Sequence, residues 1–313
     1  MNILHLSDTQ LSYSPGRISN LLSKYGGVES RHFVWKRKIG FREFPVDMSS
    51  DDTPLEVIRS FIYQWADVIV YHNRWKRQEV FKALGTPPPG KPSVIQIHSP
   101  RESEDFYEEV MSGLPIACPA QYHPRQWPEC RYIVPNVVDI LDPLYTRTDM
   151  PIYERPRVSY APSNTNMRGW DDKSYGTVGA VLKRMKLARE ITYDLIAGKP
   201  FEVVLPTKRL ANIGVDEIST GSYHLSSLEY LSLGVATIAR IDTLTEKVLK
   251  DLTGCDRLPW IDASKDTFEN SLRAVLKLKG WDEHGRYARI WMERYWNPTL
   301  LCKHYIKMYE DLK

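Results

Sequence analysis

Cysteine is scarce in this chain: four residues, Cys118, Cys130, Cys255 and Cys302, are spread over 313 positions. No two have C-x-x-C spacing, so neither a disulfide scaffold nor a paired-thiolate zinc site is expected. His123 and His304 lie near Cys118 and Cys302 in sequence, but isolated pairs of that kind do not make a four-ligand metal set. No metal is expected. Long apolar runs are missing too, and none approaches the ~20 residues that span a bilayer. The opening residues, Met1-Asn2-Ile3-Leu4-His5-Leu6-Ser7-Asp8, lack the basic start and long apolar stretch of a secretion signal and read as a first β-strand. The expectation is a cytoplasmic protein whose membrane contact, if any, is peripheral. Charge of one sign is not in excess, the net value being +3, so overall charge selects no nucleic-acid partner. Repeats at a fixed period are also lacking.

What is present is a composition of 42% hydrophobic and 26% charged residues, which excludes disorder. A length of 313 residues favours two domains, because single cores stop growing near this size. Charge is unevenly placed. Seven basic residues (Arg17, Lys24, Arg31, Lys36, Arg37, Lys38, Arg42) face one acid, Glu29, and Arg74, Lys76 and Arg77 surround Trp75. Such runs are ordinarily solvated faces; the alternative is a surface for an anionic acceptor or a lipid headgroup.

Along the chain, short apolar runs alternate with helical spacing. Strands are predicted at Ile3–Leu6, His32–Trp35, Val68–Tyr71, Val94–Ile97, Leu114–Ala117 and Tyr132–Val134. Helical spacing covers Gly16–Leu22, Gln78–Leu84 and Pro54–Trp65, the last with Asp52 or Thr53 as N-cap. Asp142–Pro156, rich in Pro, Thr, Asp and Arg, reads as a linker. The rhythm then restarts with strands at Val158–Ala161, Phe201–Leu205, Ile213–Val215 and Ala236–Ile241. Helices are predicted at Asp172–Arg189, Tyr223–Leu233 and Leu244–Leu252. Lys265–Leu312 is helical, with breaks at Gly280 and Asn297-Pro298. This pattern predicts α/β domains with doubly wound parallel sheets. Ligands bind beyond the carboxyl ends of strands in such sheets, which directs attention to Ser7-Asp8, His72-Asn73, His98-Ser99, Pro162-Ser163-Asn164 and Asp216-Glu217.

The densest constellation is Gly214–Gly234. A strand ends at Val215, a small-residue loop crosses Ser219–Ser222, and a helix follows with Ser222 as its expected N-cap. Leu225, Leu228 and Leu231 form its apolar face and Gly234 ends it. A helix N-terminus offers free N–H groups and partial positive charge, which suits a pyrophosphate. Glu229 lies on the helix, placed to accept hydrogen bonds from ribose hydroxyls. A plain Gly-Ser turn before a core helix has the same local pattern.

The words Ser227-Leu228-Glu229-Tyr230-Leu231-Ser232-Leu233-Gly234 and Ala236-Thr237-Ile238 resemble the donor-binding region of GT-B glycosyltransferases similar to glycosyltransferase family 4. Ser159-Tyr160-Ala161-Pro162-Ser163-Asn164, followed by Arg168-Gly169, resembles the first strand–loop of that family's C-terminal domain. The resemblance implies a GT-B architecture of two Rossmann-like domains facing each other across a cleft, with C-terminal helices. The acceptor-side domain would span residues 1–150 and the donor domain 151–295. A last helix, 296–313, would return to the first domain. It implies a UDP- or GDP-sugar as substrate, no cofactor or metal, and retention at the transferred sugar.

By the same resemblance Glu229 binds the donor ribose, and Arg168 neutralises the leaving diphosphate. His98, after its strand, contacts the transferred sugar. Gly16, Ser163, Asn164, Gly221, Ser222, Tyr223, His224 and Leu225 approach the donor. Lys208, or Arg209, is a candidate for a second cation. Two departures mark divergence: Gly221 stands where an acid eight residues before Glu229 is usual, and Ser163-Asn164 stands where another Arg is usual. The acceptor stays open among a glycan, a lipid-linked sugar and a hydroxylated DNA base. A nucleotide-sugar-binding protein without turnover and a nucleotide-sugar epimerase are the rival readings.

Overall fold

A computed structural model describes residues 1–37, 46–73, 83–84, 89–99, 101, 113–146, 153–162, 174–277 and 279–313. The chain forms two compact units, Met1–Val137 with Pro298–Lys313, and Val138–Asn297.

The first unit is built on a seven-stranded parallel sheet in the order β3-β2-β1-β4-β5-β6-β7. Its strands are β1 (Asn2–Ser7), β2 (Glu29–Val34), β3 (Met48–Ser49), β4 (Val68–His72), β5 (Ser93–Gln96), β6 (Ile116–Pro119) and β7 (Cys130–Val134). Helix α1 (Ser14–Tyr25) links β1 to β2. Helix α2 (Leu55–Ser60) starts after Pro54 and runs into a π turn, Phe61–Trp65. Its N-cap is therefore Pro54, not Asp52 or Thr53; the Asp52 and Thr53 side chains instead accept from the Ser49 amide. A short helix, α3 (His123–Gln126), precedes β7.

Alternation along the strands gives the two faces different chemistry. Leu4, Leu6, Ile69, Tyr71, Ile95 and Ile97 join Ile58, Ile62 and Trp127 in one apolar core. The opposite face carries Ile3, Val68, Val70 and Val94, and then His5, Ser7, His32, His72 and Gln96, all buried. That face is covered by α1, where Ser30 Oγ meets Ser19 Oγ at 3.1 Å.

The second unit holds a five-stranded parallel sheet in the order β12-β11-β10-β8-β9. These are β8 (Arg157–Tyr160), β9 (Thr192–Leu195), β10 (Ile213–Val215), β11 (Ala236–Ala239) and β12 (Ile261–Asp262). Around it lie α4 (Tyr175–Leu187), α5 (Phe201–Arg209), α6 (Leu225–Ser232), α7 (Thr243–Thr253), α8 (Phe268–Lys277) and α9 (Trp281–Tyr295). The strand expected at Phe201–Leu205 is a helix. Pro200 has extended backbone angles and starts the helix, and Leu205 and Lys208, three residues apart, point inward and are buried. The edge place in the sheet goes to β9, so packing overrides the β preference of the Val203-Val204-Leu205 run.

The division between units falls at Val137–Val138, ahead of the Asp142–Pro156 stretch. Arg289 explains why. Its Nη1 donates to Tyr145 O at 3.0 Å and Ser232 O at 2.6 Å, and its Nη2 to Ile140 O at 3.3 Å. Residues 140–145 are thereby tied to the second unit. The last helix, α10 (Pro298–Glu310), packs on the first unit, where Tyr305 Oη donates to Pro135 O at 2.7 Å. All four cysteines are free thiols. Among the described residues no helix is long and apolar enough to cross a membrane.

Candidate donor site and a histidine chain

The donor-site candidate begins at β10, which lies between β8 and β11. Gly214 is required there: an added Cβ would lie 2.6 Å from Tyr230 Cδ1. Tyr230, from α6, packs against this strand, and its hydroxyl meets Ser159 Oγ at 2.5 Å. Two acids follow the strand and shape the next loop. Asp216 Oδ2 accepts from the His224 amide at 2.7 Å and from Ser227 Oγ at 2.6 Å. Burial alone would raise its pKa; the charge of His224 and the hydrogen bonds from His224 and Ser227 outweigh this and hold it below the ordinary value. Glu217 Oε2 accepts from the amides of Ser219 at 2.9 Å and Thr220 at 2.8 Å.

Helix α6 starts at Leu225, later than the Tyr223 that the sequence predicts. Its N-cap is His224, with extended angles φ −121° and ψ 174°, and not Ser222, whose side chain is buried. The amides of Leu225 and Ser226 have no hydrogen-bond partner among the described residues. Those two N–H groups sit at the positive end of the helix, the arrangement that binds a phosphate. The ring of Tyr223 is fully buried, 5.1 Å from Trp260 and 6.3 Å from Trp296 between centroids. Tyr223 can thus serve a ligand only through its backbone.

Glu229 and Lys208, considered separately in the sequence, meet here. Lys208 Nζ lies 2.6 Å from Glu229 Oε2 and 2.8 Å from Ser226 Oγ, and 4.5 Å from the centre of the Tyr230 ring. The side chains are 1% and 7% exposed, so this is a buried ion pair. The sequence places Lys208 after a strand, as a candidate second cation. It is on α5, with its charge committed to Glu229.

Gly221 has φ +75°, and a Cβ there would lie 2.9 Å from Asp242 Cγ. Asp242 caps α7 by accepting from Thr245 N at 2.8 Å, and its own amide donates to Gly221 O at 2.9 Å. The absent acid is thus excluded by geometry: a side chain at 221 would be strained in backbone and driven onto a carboxylate. Introducing an acid there by Gly221→Glu should therefore destabilise the unit by about 2–4 kcal/mol. Urea unfolding checks this, and a variant as stable as the parent would contradict the account.

In the first unit, His98 lies just past β5. Its amide donates to Asn73 Oδ1 at 2.6 Å, and Asn73 Nδ2 donates to Ser99 Oγ at 3.0 Å. His98 Nε2 is 2.7 Å from His72 Nδ1, and His72 Nε2 is 2.8 Å from His5 Nδ1. Burial pushes His98 down to about 4 and His32 to about 3, and His5 and His72 well below the ordinary value, so all four rings are neutral at pH 7. The sequence reading singled out His98 and gave His72 less weight. It missed His5 and His32, although polar residues at alternate positions of otherwise apolar strands were a usable signal.

Gly16 is expected near the donor. It lies in the first turn of α1, where a Cβ would come within 2.7 Å of Tyr13 Cδ2 and 3.4 Å of His32 Nδ1, so packing accounts for it. Ser163, Asn164 and Arg168 fall outside the described residues.

No protein-family model and no curated protein matches the chain. Solved structures do, along the full length. A glycosyltransferase from Rickettsia africae aligns at TM-score 0.60 and 10% identity, covering 99% of this chain and 98% of its own. The Anabaena protein HepE, solved in complex with UDP, aligns at 0.61 and 11%, covering 99% and 100%. Sucrose-phosphate synthase from Thermosynechococcus elongatus aligns at 0.59 and 12%, covering 100% and 99%. The chain has the GT-B fold. Each GT-B unit carries its parallel sheet as described, and the α6 N-terminus follows the carboxyl end of a central strand of the second.

Proposed function

We propose that this GT-B chain is a glycosyltransferase that takes its sugar from a UDP- or GDP-sugar and passes it to an acceptor hydroxyl. The observation that carries the reading is the pair of unpartnered amides, Leu225 and Ser226, at the head of α6. Asp216 fixes the entry to that helix by binding the His224 amide and Ser227 Oγ, so the two N–H groups are preorganised for a diphosphate. The reading is further supported by the fold shared with a glycosyltransferase and with HepE, a protein solved in complex with UDP.

In this mechanism, breaking the sugar–phosphate bond leaves negative charge on the diphosphate, and the helix terminus stabilises that charge without a metal. Arg168 supplies a cationic side chain to the same leaving group. Glu229 accepts from the donor ribose. Lys208 is a positioning residue, holding the carboxylate in one orientation through Nζ. Gly221, Ser222, Tyr223 and His224 contribute the loop backbone beside the phosphates. His98 contacts the transferred sugar. Membership of a divergent branch near glycosyltransferase family 4, with retention of configuration, completes the proposal.

A panel of nucleotide-sugars tested for thermal stabilisation checks it. A donor present at 100 times its Kd should stabilise the native state by about 2.7 kcal/mol. The expected result is stabilisation by one nucleotide-sugar and by its nucleoside diphosphate; no shift with any member would overturn the reading.

A further inference from the structure

The head of α6 already holds an anion. Asp216 Oδ2 accepts from the His224 amide at 2.7 Å and from Ser227 Oγ at 2.6 Å, so the carboxylate brackets Leu225 and Ser226, whose N–H groups form the candidate phosphate site. Its side chain is only 6% exposed. Burial favours the neutral acid, but the charge of His224 and the hydrogen bonds from His224 and Ser227 hold the pKa below the ordinary value, so Asp216 is ionised at neutral pH. A carboxylate in that place occupies the positive end of the helix dipole and repels a second anion.

The neighbouring charges do not relieve this. Glu217 is fully buried and accepts from the Ser219 and Thr220 amides. Asp242 stands against Gly221 and caps α7. The Lys208 ammonium is committed to Glu229 at 2.6 Å, and the Arg240 guanidinium to Asp262 at 2.7 Å. A diphosphate seated on Leu225 and Ser226 therefore meets fixed negative charge. The ring of His224 is placed to change that. His224 is the N-cap of α6, one residue before Leu225, and its Nδ1 lies 3.6 Å from Asp216 Oδ1. The ring is 16% exposed, which leaves it open to a proton from solvent. Imidazole is the side chain whose charge ordinarily changes between pH 5 and 8. Asp216 already favours that charge from one side, and a bound diphosphate adds negative charge at the two residues that follow.

We propose that the His224 side chain is a cation of the diphosphate site, taking up a proton from solvent as the nucleotide binds, so that donor binding is coupled to protonation. The imidazolium offsets the repulsion between Asp216 and the phosphates. This rests on the reading of the α6 terminus as the donor site and adds to it a dependence on pH. Affinity should be highest at the acid end of the range. It should fall by up to about tenfold per pH unit as the free ring loses its proton, the slope set by one linked proton.

The test is calorimetric titration of the full chain with UDP and GDP between pH 6.5 and 9, in buffers of different ionisation enthalpy, which counts the protons taken up per nucleotide bound. The terminal phosphate of the nucleotide also titrates near the acid end, but equally for every variant, so a difference between chains belongs to His224. Wild type should take up a sizeable fraction of one proton more than either variant. His224→Asn keeps a favoured N-cap residue, and its affinity at pH 6.5 should be roughly 10-fold weaker than wild type. His224→Lys stays charged over the whole range, so it should bind as tightly at pH 8.5 as at pH 7.5. A residue that merely steadied Asp216 would change stability and leave the proton count alone. Nucleotide binding in which wild type takes up no more protons than His224→Lys would overturn the proposal and leave the donor site standing, even if His224→Asn does not fold. Binding of neither nucleotide would overturn the donor site, and the proposal with it.

Discussion

Replacing Lys208 with methionine is expected to destabilise the second unit by about 3–5 kcal/mol, because it strands the Glu229 carboxylate in the interior. Lys208 and Glu229 are 1% and 7% exposed, so water replaces little of what the ammonium supplies. Ser226 Oγ and the Tyr230 ring bind the same ammonium, and neither can neutralise a carboxylate. The companion variant separates charge from packing. Lys208→Met combined with Glu229→Gln removes both charges at nearly constant volume and should recover much of the loss, since a buried pair contributes little net stability over apolar or neutral replacements. Urea unfolding of the two single variants and the double variant measures the coupling. Additive losses would mean that the two groups do not act as a pair. The same double variant, folded but lacking the carboxylate, should bind nucleotide more weakly if Glu229 holds the ribose.

Acid is expected to unfold the first unit sooner than the second. His5, His32 and His72 are buried and neutral, with burial the main cause of their lowered pKa values and mutual proximity a further one. In the unfolded chain each takes up a proton below about 6.5. The sign follows from that difference. Above about pH 6.5 neither state holds the extra protons and the native state is fully stable; as pH falls, the unfolded state binds protons that the native state refuses. Each ring then costs about 1.4 kcal/mol per pH unit, and three together approach about 4 kcal/mol per unit. His98, half-buried at the sheet edge, adds less and stops contributing near its own value of about 4, and His32 near about 3. In the second unit Asp216 acts in a lower window: its depressed pKa contributes stability that is lost only as pH falls below the ordinary carboxylate value. Unfolding followed between pH 7 and 4.5 by a probe in each unit checks the order. A first unit with flat stability over that range would show that the rings already bind protons in the native state.

The parallel α/β plan was legible in the sequence because most of the strands are short apolar runs with sharp ends, such as Val68–Tyr71 and Ala236–Ile238. What escaped were elements whose identity depends on neighbours. Thr192–Leu195 is only partly apolar and becomes a strand by pairing with β8 at the edge of the sheet. Phe201–Leu205 has strand-like residues yet folds as a helix because no sheet position remains for it. Glu229 was found from its place on the helix, but its partner could not be: Lys208 lies twenty-one residues away on another helix, and that distance is bridged only when α5 packs on α6. The emptiness at 221 was visible as a glycine, whereas its cause, the Asp242 side chain standing in the same space, needed coordinates. His5 and His32 were hidden by the opposite effect. They sit inside a strand pattern where the eye expects core residues, and only the register places them beside His72 and behind Gly16.

The account stands on the two amides at the head of α6, and a single backbone substitution reaches them. Leu225 is the first residue of the helix, and its N–H makes no intrahelical bond, so proline is tolerated there. His224 before it already has the extended angles that a residue preceding proline requires. Calorimetric titration of the parent chain and Leu225→Pro with UDP and GDP should show one nucleotide bound by the parent. The variant should lose roughly 10- to 100-fold in affinity, the worth of about one charge-assisted hydrogen bond, with its unfolding midpoint nearly unchanged. Equal affinity in a folded Leu225→Pro chain would contradict a diphosphate site at this helix.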